Sequence, residues 1–188
     1  MTRRAVVEAA LIGVMALAAT VTSIVVAPGV PGLLGAGLAL VMLAIAVADG
    51  RQFIIPDSLT AAALCLALVN AGVHDGEAIL QGAASAVLRG AVLAAGFLAL
   101  RTVYHRIRQR HGIGIGDVKL AVAAGAWLSW TMIPIAVEIA ALAALAGYAL
   151  RHYISGRPIR ATAKLPFGLY FAPAIWLCWL LEVTLLAS

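Results

Sequence analysis

The chain has 188 residues, of which 64% are hydrophobic and only 11% charged, and its mean hydropathy is +1.05. Ordinary soluble domains carry about 25% charged residues, so this composition excludes a soluble globular protein and leaves no room for a separate soluble domain; residues 1–188 read as a single membrane-embedded unit. The net charge of +5 does not point to nucleic acid, because the basic residues fall in short polar breaks between apolar runs, where they set membrane orientation.

Seven apolar segments can be placed in chain order, and six are possible if the fifth and sixth fuse. The first runs from Ala5 to Ala27. Arg3 and Arg4 ahead of it leave a signal peptide as the alternative, but the run is longer than the 7–15 residues of a signal core. Pro28-Gly29-Val30-Pro31-Gly32 breaks it, and the second segment, Leu33–Ala48, ends at Asp49. After Gly50–Asp57, Asp57 or Ser58 caps the third helix, Leu59–Val73. An acidic turn, His74-Asp75-Gly76-Glu77, precedes the fourth, Ala78–Leu100. A basic loop from Arg101 to Gly116 leads to the fifth, which starts at Asp117 and ends near Pro134. The sixth is Ile135–Leu150, a second basic loop spans Arg151–Lys164, and the last helix is Phe167–Leu186. The expected fold is therefore all-α, a polytopic transmembrane helical bundle.

Charge orients the bundle. With the N-terminus in the cytoplasm and the segments alternating, twelve of the thirteen Lys and Arg residues fall on the cytoplasmic side and none on the other, Arg89 alone lying within a segment. Asp49 then closes an inward-running helix and Asp117 opens an outward-running one, which puts both carboxylates at the cytoplasmic border. Ionisable groups at such a border are functional candidates by default. Two aspartates at one depth in a partly dry site cannot both ionise easily, so one holds a proton and the other does not. Such a pair can activate a water and protonate a leaving amine. The competing reading is that each aspartate faces headgroups and does nothing more.

Around these residues the chain carries three motifs in order. Gly114-Ile115-Gly116-Asp117-Val118-Lys119-Leu120 resembles the Gly-x-Gly-Asp-x-Lys motif of type IV prepilin peptidases, which are intramembrane aspartyl peptidases, and Ala124-Gly125-Ala126-Trp127-Leu128 resembles the segment that follows it. Ala48-Asp49, then Ile55-Pro56-Asp57-Ser58-Leu59-Thr60, is similar to that family's first-aspartate region, and Leu165-Pro166-Phe167-Gly168 to its late Pro-Phe-Gly motif. The resemblance implies that Asp49 and Asp117 are catalytic, with Gly114, Gly116, Lys119, Pro56, Pro166, Phe167 and Gly168 in support. It implies removal of a basic leader from pilin-like precursors with an apolar N-terminal helix, after a glycine, at the cytoplasmic face of the inner membrane. No metal or cofactor is expected. The larger members of that family carry paired C-x-x-C motifs and N-methylate the new terminus. This chain has Cys65 and Cys178 alone, each in an apolar run. The resemblance therefore does not extend to methyl transfer, and the short form looks like the peptidases of Flp/Tad-type pilus systems or the related archaeal enzymes.

Other residues are read against simpler roles. Lys119 cannot pair with Asp117 two positions away on a helix, so snorkelling to headgroups is expected, with holding the loop or a substrate carbonyl as the alternative. The cluster Arg101–Arg110 is a topology determinant that favours anionic lipid headgroups. His105, His111 and His152 have no metal-ligand spacing. Arg89 and Glu138 either pair inside the bundle or each find a water-filled cavity, and Glu8 and Glu182 are open. A small transporter or scaffold using the same carboxylates is the rival from another class. A presenilin-like peptidase is the rival within the same chemistry.

Overall fold

The computed structural model describes residues 3–74, 79–109, 112–155 and 165–186. Seven helices are found among them: α1 (Arg3–Val26), α2 (Val30–Gln52), α3 (Asp57–His74), α4 (Ile79–Arg108), α5 (Ile115–Trp127), α6 (Met132–Ser155) and α7 (Phe167–Leu186). Five of these, α1, α2, α4, α6 and α7, are long and apolar enough to cross a membrane. The protein is a multi-pass helical membrane protein. The acidic turn at Asp75 and Glu77, and the basic positions Arg110, His111, Arg157, Arg160 and Lys164, lie outside the described residues.

Side-chain contacts fix the direction of each helix. Arg51 near the end of α2 pairs with Glu8 near the start of α1 at 3.1 Å. Asp49 of α2 bonds the first turn of α7. Lys119 at the start of α5 pairs with Asp57 at the start of α3, and Arg101 late in α4 bonds Ile113 just before α5. The helices therefore alternate up and down as the charge pattern implies. One end of the bundle, called here the motif end, collects Asp49, Asp57, Asp117 and Gly168.

The helix limits differ from the apolar runs in instructive ways. α2 begins at Val30, so Pro31 stands in its first turn, where a proline loses no hydrogen bond, and it continues past Asp49 to Gln52. α4 continues through Arg101, His105, Arg106 and Arg108, because polarity ends a membrane crossing without ending a helix and arginine is a good helix former. α6 likewise takes in Arg151 and His152. The fifth helix is the reverse case: it stops at Trp127, and Pro134 belongs to the first turn of α6.

Thirteen residues of α5 rise about 20 Å, short of the roughly 30 Å hydrocarbon core. α5 is the bundle's centre, with Leu120, Ala121 and Ala123 through Leu128 all buried. The small-residue stripe on α4 faces it: Gly82, Ala86 and Gly90 are buried. A Cβ on Gly90 would stand 2.7 Å from the Val122 carbonyl oxygen, and one on Gly125 would stand 2.5 Å from that of Arg89. The two backbones thus touch, as small-xxx-small packing allows. On the opposite side the buried Trp127 indole N–H donates to the Ala63 carbonyl of α3 at 3.0 Å.

A helix that ends inside the bundle leaves its last carbonyls without partners, and in lipid such groups must be satisfied internally. Arg89 does this. Its Nε donates to the Gly125 carbonyl at 3.2 Å and its Nη2 to that of Ala126 at 3.5 Å, while Nη1 donates to Ser85 Oγ at 3.2 Å. Arg89 therefore does not pair with Glu138, which is exposed on α6. A guanidinium on the negative end of the α5 dipole is favourable as well. Arg89→Met should lower stability in detergent by about 1–3 kcal/mol, read as a reduced thermal midpoint. An unchanged midpoint would mean the carbonyls find other donors. Glu182 of α7 meets the next segment, its Oε2 accepting from the Ser129 N–H at 3.4 Å just ahead of α6.

Candidate active site

Asp49 lies one turn before the end of α2 and is buried, at 5% exposure. Its Oδ2 accepts a hydrogen bond from the Leu169 N–H at 3.0 Å. Leu169 is in the first turn of α7, where backbone N–H groups have no partner within the helix and the dipole favours an anion. This gives the Pro-Phe-Gly stretch a physical meaning. Pro166 is buried directly ahead of α7. The Phe167 ring packs with Phe171 and Phe97, at 5.3 and 6.2 Å between centroids. Gly168 leaves room for the carboxylate, since a Cβ there would stand 3.0 Å from Asp49 Oδ2.

Asp117 is the third residue of α5 and partly buried. Its Oδ2 accepts from the Gly114 N–H at 3.0 Å, so the carboxylate closes the N-terminus of its own helix. The loop ahead is held by the polar extension of α4. Arg101 Nη1 donates to the Ile113 carbonyl, and Gly112 lies against the Tyr104 ring, with room for a Cβ at only 2.5 Å from it. Reading Arg101 as a topology determinant missed this contact; no spacing in the sequence signals it.

A single side chain joins the two halves. Ile55 is buried and sits between the motif glycines: a Cβ on Gly116 would stand 3.1 Å from Ile55 Cβ, and one on Gly168 would stand 2.8 Å from Ile55 Cδ1. The segment that carries Ile55 turns sharply out of α2, with Phe53 at φ 55° and its N–H donating to the Asp49 carbonyl at 2.9 Å. A non-glycine residue in the left-handed region is uncommon and stores local strain. Pro56 directly precedes α3, its carbonyl accepting from the Leu59 and Thr60 N–H groups at 3.2 Å each.

The two carboxyl groups flank one side chain: Ile55 meets Gly116, which precedes Asp117, and Gly168, against which Asp49 Oδ2 lies. Lys119 does not snorkel freely; its Nζ meets Asp57 Oδ1 at 2.6 Å. Asp57 is the first residue of α3, and its side chain serves that ion pair. All nine residues singled out from the sequence, Asp49, Pro56, Gly114, Gly116, Asp117, Lys119, Pro166, Phe167 and Gly168, gather at the motif end. No group of three or more His, Cys, Asp or Glu suited to a metal occurs among the described residues.

Each of the two carboxyl groups is thus steadied by a backbone N–H at the same end of the bundle. Comparison with known proteins agrees with the motifs. The model of the type IV leader peptidase family matches residues 36–149, which include both aspartates. A prepilin leader peptidase/N-methyltransferase of Aeromonas hydrophila is 31% identical over 176 residues, covering 88% of this chain and 55% of that protein. One of Burkholderia pseudomallei is 36% identical over 142 residues, covering 72% and 42%. Leader peptidase HopD of Salmonella typhimurium is 32% identical over 133 residues, covering 70% and 82%. The chain thus spans about half the length of the bifunctional relatives it matches. No solved structure matches. With its family model covering more than half of its length, the chain belongs to the type IV leader peptidase family.

Proposed function

We propose that this chain is an intramembrane aspartyl endopeptidase, with residues 1–188 acting as one peptidase domain and Asp49 and Asp117 as its catalytic pair. The observation that carries the reading is that two carboxyl groups from separate helices, α2 and α5, lie at one end of the bundle around the shared side chain of Ile55, in a chain of this family. One aspartate, ionised, takes a proton from a water, and the hydroxide attacks the scissile carbonyl carbon. The other, protonated, first donates to the carbonyl oxygen. Collapse of the tetrahedral intermediate breaks the C–N bond, and a carboxyl proton passes to the leaving nitrogen. Gly114 and Gly116 keep the approach to Asp117 narrow, so that a peptide backbone reaches it.

The substrate of this reading is a prepilin-like precursor with a basic leader, a glycine at the cut and an apolar helix that enters the bundle from the side. The motif end faces the cytoplasm across the inner membrane. Among the described residues Arg51, Arg101, Arg106, Arg108, Lys119 and Arg151 lie at that end, the distribution of a cytoplasmic face. A transporter would hold its carboxylates near the midplane, whereas both aspartates here lie within a turn of a helix end.

The test is co-expression with such a precursor. The expected outcome is a smaller product whose new N-terminus follows the glycine, by sequencing. Full-length precursor beside a chain that has reached the membrane would sink the reading.

A further inference from the structure

The ion pair between Lys119 and Asp57 has no evident structural task. α3 and α5 are already joined by the buried hydrogen bond from Trp127 to Ala63, and both helices contribute residues to the apolar core. The pair itself is open to water, with 43% of the Lys119 side chain and 76% of the Asp57 side chain exposed. Exposed pairs of this kind add little to stability. Yet its position is pointed. Asp57 follows by two residues the Ile55 that wedges the two motif glycines apart, and Lys119 follows Asp117 by two. The pair therefore links the start of α3 to the start of α5, beside the motif residues.

The charges around it narrow what Asp57 can do. At the motif end Arg101, Arg106, Arg108 and Arg151 would repel a cation. Two exposed carboxylates stand there among the described residues, Glu8 paired with Arg51 between α1 and α2 and Asp57 paired with Lys119 between α3 and α5; Asp57 is the one whose partner lies on the helix that carries Asp117. As the first residue of α3 it stays favoured as an anion by the helix dipole even when Lys119 leaves. Lys119 engages Oδ1 of a side chain that stays 76% exposed, so a substrate cation can reach the carboxylate beside Lys119.

We propose that Asp57 is a substrate-binding residue: its carboxylate receives a lysine or arginine side chain of the peptide segment preceding the cut, and Lys119 holds that carboxylate in place until the substrate arrives. This rests on the leader-peptidase reading and supplies it with a source of charge specificity at the same site. Asp57 touches the substrate's charge, not the reacting atoms, so its effect falls on KM.

Three precursors decide the matter, with the leader cations kept, neutralised to Gln, or reversed to Glu, each cleaved by the full-length wild-type chain, by Asp57→Asn and by Asp57→Lys. For Asp57→Asn the expected result is a roughly tenfold rise in KM on the basic precursor, with kcat and the neutral precursor unaffected. Asp57→Lys is expected to reverse the preference, cleaving the acidic leader faster than the basic one. Equal losses on all three precursors would make Asp57 a structural residue and overturn the proposal. If the wild-type chain cleaves none of the three, the leader-peptidase reading itself fails. If wild type cleaves all three equally well, that reading stands and the charge-docking role is lost.

Discussion

Asp49→Asn and Asp117→Asn are each expected to lower precursor cleavage by about a thousandfold or more, while the protein still accumulates in the membrane. Asparagine is the informative replacement because it keeps shape and loses only the ability to take up and release a proton. At position 49 the side-chain oxygen can still accept from the Leu169 N–H. At position 117 it can still accept from the Gly114 N–H. Neither substitution therefore disturbs the helix ends that these bonds secure, and lost activity reports on chemistry. The measurement is the single-turnover cleavage rate of a purified precursor in detergent, beside a thermal midpoint for each variant. The double substitution should be no worse than the worse single one, because residues acting as a unit do not add. Cleavage that survives either single change would remove that aspartate from the mechanism.

The fold was legible because lipid imposes few choices. Apolar runs separated by basic breaks had to become helices that alternate in direction, and Arg51, Arg101 and Arg151 duly lie at one end with the motifs. Helix limits were less legible, since hydropathy reports the solvent and not the backbone. Arg101 through Arg108 look like loop to a hydropathy scan and are helix. Leu128 through Pro134 look like continuing helix and contain the break, where the Ile133 N–H bonds the Ser129 carbonyl at 3.1 Å to begin α6. That break explains Arg89. Charge alone offers Glu138 or a water-filled cavity for Arg89, whereas its partners are carbonyl groups of a helix end that no sequence pattern displays.

The site divides in the same way. Which residues lie together at the motif end was visible in three motifs, but why each residue type stands where it does was not. Gly168 illustrates the difference. In the sequence it is the last letter of a short motif ahead of an apolar helix. In the structure it is a point where α7 closely approaches α2, with Asp49 and Ile55 both against it. Ile55, which the motif comparison included only as part of a turn, proves to be the spacer between the glycine of α7 and the glycine of α5. A hydrophobic side chain thereby sets the separation of two helices that each position a carboxyl group.

This geometry predicts a large effect from one methyl group. Gly168→Ala would place a Cβ 2.8 Å from Ile55 Cδ1 and 3.0 Å from Asp49 Oδ2, closer than such atoms can stand. Ile55 has little freedom to yield, being buried and pressed against Gly116 from the other side. The easier response is for Asp49 or the first turn of α7 to move, and either one stretches the bond from Leu169. Displacement of a reacting group by about 1 Å can lower a rate roughly a hundredfold, so cleavage should fall by about that factor. Overpacking should lower stability by about 1–3 kcal/mol at the same time. Gly96→Ala is the matched control, because nothing lies within 4 Å of a Cβ at that position on α4; it should leave cleavage unchanged. A second substitution separates misplacement from mere loss of stability. Ile55→Val in the Gly168→Ala background removes the Cδ1 that the new methyl meets, so it should restore part of the rate if crowding at Ile55 displaces Asp49. If the double variant is as slow as Gly168→Ala alone, the methyl acts directly on the carboxylate; if Gly168→Ala cleaves at the wild-type rate, the close approach of α7 to Asp49 has no part in catalysis.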